Sequence, residues 1–130
     1  MDAAKLRPIS LFSTLTDEEL SAIAPFAEEV SVSEGTQLVK EGDFSYQFFA
    51  IDSGEAEVTR GGDHVADLGP GDFFGEMGLL EKTLRNATVT ATTSMKLVTL
   101  TCWDLKRMER HIPEAIERVR KTLEERRPED

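Results

Sequence analysis

A chain of 130 residues with 25 acidic and 15 basic side chains, a formal net charge of -10 and a pI near 4.7 suits one domain burying roughly two thirds of its unfolded surface. Its 39% hydrophobic and 31% charged residues exclude a disordered chain, no apolar run nears the roughly 20 residues of a membrane span, and the acidity speaks against nucleic acid and, taken alone, against any anionic ligand. The first eight residues lack the apolar core of a secretory signal and Cys102 is the only cysteine, so no internal disulfide framework exists and a cytoplasmic location is expected.

In chain order, the first predicted element is a short helix. Thr16 and Glu19 have the spacing of a capping box, Leu15 and Leu20 that of a hydrophobic staple. Asp17 and Glu18 favour the positive end of the helix dipole, and Pro25 limits how far a regular helix runs. From about Val30 to Leu100 the pattern is β: Gln37–Lys40, Gln47–Ile51, Ala56–Thr59, Val65–Leu68, Ala87–Ala91 and Met95–Leu100. Glycine-bearing turns at Gly35, Gly42, Gly54, Gly61-Gly62 and Gly69-Pro70-Gly71 separate these runs. Thr88–Thr101, rich in Thr and Val, suggests a pair of long strands.

The tail returns to helical spacing. Thr101 and Asp104 make a cap before Leu105 and Met108, and Pro113 fits the first turn of a second helix. Ile112, Ile116, Val119 and Leu123 then form one apolar stripe. That stripe either packs against its own barrel or pairs two copies as a homodimer through the C-terminal helix. Trp103, the phenylalanines and Cys102 are expected in the core. Residues 103–130 carry eight acidic and eight basic side chains, so the whole -10 belongs to residues 1–102.

Together these elements predict one domain over residues 1–130, mainly β with flanking helices (α+β). An antiparallel β-barrel or jelly roll at about 30–101 sits between a helical segment at about 10–28 and two C-terminal helices at about 102–127.

One stretch, Gly71 to Val89, breaks the strand pattern. Gly75 and Gly78 flank Glu76 where a short helix near Met77–Leu80 would begin. Glycine lets a ligand approach main-chain amides, and exposed N–H groups at a helix start attract anions. Arg85 offers a rigid fork of donors suited to phosphate, whereas Glu76, an acceptor, matches a sugar hydroxyl. An acid for ribose beside an amide-and-arginine cradle describes a nucleotide pocket.

The run Phe74-Gly75-Glu76-Met77-Gly78-Leu79-Leu80, five residues, Arg85, Asn86 and Ala87-Thr88-Val89 resembles the phosphate-binding cassette of the cyclic nucleotide-binding domain family. That family includes the domains of cAMP receptor protein and of protein kinase A regulatory subunits. Only the position after the arginine departs from the family pattern, with Asn86 in place of Ser, Thr or Ala. The resemblance spans roughly residues 10 to 127 and implies a regulatory ligand-binding domain rather than an enzyme. It implies that Glu76 takes the ribose 2′-hydroxyl, with Gly75 letting the backbone approach the ligand and Met77 among the ligand-binding residues, and that Arg85 takes the cyclic phosphate. The amides of Gly78, Asn86 and Ala87 would complete the cradle, while Phe73, Phe74, Leu79, Leu80 and Val89 hold the cassette. A residue of the last helix (Val119, Leu123, Arg120 or Arg126) would cover the base.

The implied ligand is cAMP, with cGMP second, because the threonine associated with cGMP preference is absent after Arg85. No cofactor or metal is expected. The implied partners are the nucleotide and a downstream effector that is not part of these 130 residues, so the chain reads as a stand-alone bacterial-type sensor or as a fragment. One rival reading is a degenerate module that keeps the fold and binds no nucleotide, to which Asn86 lends weight. A cupin-like metalloenzyme is the other. Its histidine and carboxylate ligands are poorly supplied by His64 and His111, which form no H-x-H pair.

Overall fold

Thr16 and Glu19 close the reciprocal cap expected of them: the Thr16 hydroxyl accepts from the Glu19 N–H, and the Glu19 carboxylate accepts from the Thr16 N–H. They open helix α1 (Asp17–Ile23), and Pro25 turns the chain into a single 3-10 turn at Ala24–Phe26. Leu15 and Leu20 are both buried, as a staple requires. The computed structural model describes residues 2–45, 47–75, 83–84 and 86–125. Two further 3-10 turns, Ala3–Lys5 and Ser10–Phe12, precede α1, and Leu6, Ile9, Leu11 and Phe12 bury themselves beside it.

Ten strands follow among the described residues: β1 (Glu28–Val32), β2 (Gln37–Val39), β3 (Phe44–Ser45), β4 (Gln47–Ser53), β5 (Ala56–Arg60), β6 (Asp63–Leu68), β7 (Phe73–Phe74), β8 (Thr83–Leu84), β9 (Thr88–Ala91) and β10 (Met95–Thr101). One antiparallel sheet has the order β1-β10-β4-β7, a second β2-β9-β5-β6, and β3 pairs β8. The expected jelly-roll-like α+β architecture is therefore present, with two separate sheets in place of a closed barrel.

Alternation along the strands sorts the core into two clusters. Phe49, Ile51, Met95 and Leu97 meet Ala56, Val58, Val89 and Ala91 between the sheets. The opposite face of the first sheet, with Phe48, Ala50, Val98 and Leu100, meets the helices. Strand β4 is thus covered on both faces, which is why Phe48–Ile51 reads as an unbroken apolar run.

Thr101 and Asp104 form a second capping box and start α2 (Cys102–His111); α3 (Pro113–Glu125) begins at its proline. Cys102, Leu105 and Met108 take the inward face of α2 at steps of three. Trp103, one position off that face, is 50% exposed, a correction to its expected place in the core. Phe44 is exposed too, whereas Phe12, Phe48, Phe49 and Phe74 are buried. In the tail stripe, Ile116 and Val119 are buried in the same cluster as Leu20 and Ile23, so these two side chains are committed within the chain. The Leu123 side chain and Arg126 lie outside the described residues.

The structure also departs from the sequence reading in β1, β3, β7 and β8. Three of these have two residues each and cannot show a period. Strand β1 carries a mostly exposed Glu-Glu-Val-Ser-Val and owes its form to the ladder with β10. The two long strands expected over Thr88–Thr101 exist as β9 and β10 but belong to different sheets. The turn between them crosses from one sheet to the other. It is held where the Thr92 N–H donates to the Glu55 carbonyl and the Glu55 N–H to the Thr93 hydroxyl.

Candidate ligand-binding cleft

The segment that leads into the cassette is fixed by aromatic packing on both sides. Phe74 opposes Phe49 in the β4–β7 ladder, and their rings stack with centroids 5.2 Å apart. Phe73 turns the other way and packs on Phe48 at 5.6 Å, in the cluster shared with the helices. Gly75 follows at φ 73°, in the left-handed region where a side chain is strained. The expectation that Phe73 and Phe74 hold this segment against the sheets agrees with that packing.

On the downstream side, Leu84 pairs with Phe44, and Asn86 and Ala87 lead into β9. Asn86 is exposed and Ala87 buried. The Asn86 carbonyl accepts from Arg60 Nε at 3.1 Å. The Thr88 hydroxyl accepts from the Glu41 N–H at 3.0 Å, and the Glu41 carboxylate accepts from the Gly61 N–H at 3.0 Å. Three turns that are distant in sequence are thereby tied together just where the cassette returns to the sheet. Arg60 and Glu41 have no sequence signal for this role, because both bonds run to or from backbone atoms.

A cleft of about 200 Å³ lies beside β2, β3 and β4. Leu38, Val39 and Phe49 supply apolar wall, and Lys40, Asp43 and Gln47 add polar groups. Its borders are informative. Phe49 stacks on Phe74, immediately before Gly75, and Phe44 is the ladder partner of Leu84, immediately before Arg85. With Gln37 the lining is more polar than apolar, and this volume, below the roughly 300–1,000 Å³ of drug-sized pockets, suits one portion of a nucleotide. Sequence reading missed the cleft because β2, β3 and β4 contribute to it from places without a shared motif.

Of the predicted site residues, the structure places Gly75 at one arm and Asn86 and Ala87 at the other. Glu76, Met77, Gly78 and Arg85 lie outside the described residues, as do Leu79 and Leu80. Among the residues named as covers for the base, Val119 is buried in the helical cluster and Arg120 pairs with Glu109 of α2 at 2.6 Å. His64 belongs to β6 and His111 ends α2. Among the described residues, no helix is long and apolar enough to cross a membrane.

Comparison with known proteins bears on family and fold. The family model described as the cyclic nucleotide-binding domain matches residues 29–110. Over 95 residues, 72% of this chain, the sequence is 39% identical to the cAMP-dependent protein kinase regulatory subunit of Schizosaccharomyces pombe, covering 23% of that protein. Over 119 residues, 92% of this chain, it is 35% identical to a cyclic nucleotide-gated potassium channel of Rhizobium etli, covering 33% of it. Among solved structures, the N-terminal domain of a transcriptional regulator from Streptomyces coelicolor superposes with a TM-score of 0.83 at 27% identity, over 97% of this chain and 92% of that one. The chain thus spans a third or less of the length of these two curated relatives.

Proposed function

Because the chain belongs to the cyclic nucleotide-binding domain family, we propose that it is a regulatory sensor of cyclic nucleotide, cAMP before cGMP, with no catalysis of its own. The observation that carries this reading is the cleft bordered on one side by Phe49 and on the other by Phe44, neighbours of the two arms of the cassette. In this reading Arg85 pairs with the cyclic phosphate and Glu76 accepts from the ribose 2′-hydroxyl. Gly75 and Met77 flank the sugar, and the amides of Gly78, Asn86 and Ala87 face the phosphate. The base lies toward Leu38 and Val39. Ligand draws the cassette inward and shifts the C-terminal helices, because a ligand moves an equilibrium only through contacts that differ between states. The sensor acts in the cytoplasm on an effector joined to it or bound by it. A homodimer through α3 uses side chains other than Ile116 and Val119.

Calorimetry of the chain with cAMP, cGMP and AMP in parallel tests this. One-to-one binding of cAMP, weaker binding of cGMP and silence from AMP are expected. Silence from all three refutes the sensor and favours the module that keeps the fold without the ligand, the reading to which Asn86 lends weight.

A further inference from the structure

We propose that Glu57, His64 and Asp67 form a binding site for a divalent transition-metal ion, of the Zn²⁺ class, on the outer face of the β5–β6 hairpin. One ligand atom from each of the three lies within 4.8 Å of the others. His64 Nδ1 is 3.1 Å from the Glu57 carboxylate, and His64 Nε2 is 3.6 Å from that of Asp67. Donors held about 2.0–2.2 Å from a tetrahedral ion stand roughly 3.3 Å from one another, so His64 would offer one ring nitrogen and the carboxylate now facing its other nitrogen would rotate toward that side. All three are on the surface with room for that rotation, His64 being 50% exposed.

The backbone builds this cluster by an irregularity. Glu57 opposes Asp67 and Val58 opposes Ala66, but Thr59 opposes His64, so Val65 is an extra residue. In a regular ladder His64 and Asp67, three apart, would point to opposite faces. The bulge removes one step and turns His64 onto the face of Glu57 and Asp67, and bulges commonly re-aim a side chain in this way. Ala56 and Val58 are buried on the inner face of the same strand, which fixes Glu57 outward.

The cluster is also electrostatically incomplete. Two carboxylates converge on one imidazole, and their like charges oppose each other there. A cation removes that conflict, and the net charge of -10 raises the local concentration of cations. Imidazole with two carboxylates selects zinc, copper or nickel over magnesium or calcium, which prefer oxygen alone.

The test is NMR of the full chain at pH 7.5 with added ZnCl₂, following the two histidine imidazoles and the backbone amides. One equivalent of Zn²⁺ should shift the His64 ring and the amides of residues 57–67 to saturation, leave His111 in place, and have no counterpart with Mg²⁺. Loss of a ligand should cost at least the roughly 10–100-fold that loss of an outer-shell partner costs. His64→Asn and Asp67→Asn should each weaken Zn²⁺ by calorimetry to that extent, and His111→Asn should not. Shifts spread over the acidic surface without saturation overturn the proposal. So do a His64 ring that responds to pH but not to Zn²⁺, and unchanged affinity in His64→Asn. None of these readouts requires the nucleotide.

Discussion

A carboxylate and a guanidinium nine residues apart in the sequence cannot serve the same part of a ligand. Arg85 brings only donors and fits an anion; Glu76 brings only acceptors and would repel one. Their contributions should therefore separate. Hydrogen bonds to charged groups contribute about 1.5–3 kcal/mol, so Arg85→Leu should weaken cAMP at least ~10-fold in calorimetry. Unchanged affinity would remove the phosphate role. Glu76→Ala should cost less, and its loss should fall on cAMP more than on 2′-deoxy-cAMP; equal losses for both would sink the ribose role. The same separation would let a chain of net charge -10 bind a phosphodiester in the proposed reading. Composition averages over the surface, while recognition needs one arginine and a few oriented amides.

At the scale of elements, turns and caps hold the strands and helices in place. Gly54 has φ 93°, and a Cβ there would lie 2.4 Å from the Ser94 carbonyl oxygen and 2.8 Å from Met95 Cγ. Left-handed backbone costs a non-glycine residue about 1–3 kcal/mol, and the clash adds to it. Gly54→Ala should therefore lower the melting temperature by well over 5 °C, whereas Gly35→Ala, with open space around it, should lose less. A thermal melt in which the two variants coincide would show that the turns move freely apart. Glu19 is shared between two elements: it completes the cap of α1 and pairs with Arg118 of α3. The Thr16 N–H foremost, then Arg118, hold its carboxyl below the usual range, against the opposing effect of burial. A lowered folded-state value means stability present above the ordinary carboxylate range and lost as pH falls through the folded value. Glu19→Gln should then lower the melting temperature at pH 7, and the gap to wild type should close in acid; a gap that stays constant with pH assigns the loss to packing. Both caps and six of the strands, β2, β4, β5, β6, β9 and β10, were legible in the sequence, because capping spacing, turn glycines and apolar runs are local. The bulge at Val65, the strands of two residues and the cleft were not, since each is made by a neighbour far along the chain.

For the molecule as a whole, the decisive feature is that β4 separates two cores. Phe48 and Ala50 face the helices, while Phe49 and Ile51 face the space between the sheets. Strand β7 repeats the division on a smaller scale, with Phe74 stacked on Phe49 and Phe73 against Phe48. A ligand that moves the cassette must move the strand leading into it. In the proposed reading Phe74 would perturb the cleft side, and Phe73 would carry the displacement into the cluster that holds Leu105, Met108 and Val119 of the C-terminal helices. The two halves of one dipeptide thus have different tasks. Trp103, the single tryptophan, stands half exposed in the first turn of α2 and reports on that end of the molecule. Its emission should change when cAMP saturates the wild-type chain. Phe73→Ala should weaken cAMP less than Phe49→Ala does, yet lose most of the Trp103 response. Phe49→Ala should do the reverse, weakening the ligand while the remaining bound fraction still gives the full emission change. If Phe73→Ala abolishes binding and response together, cleft and helices share one cooperative unit and β4 is no boundary. If it leaves both intact, the displacement reaches the helices by another route.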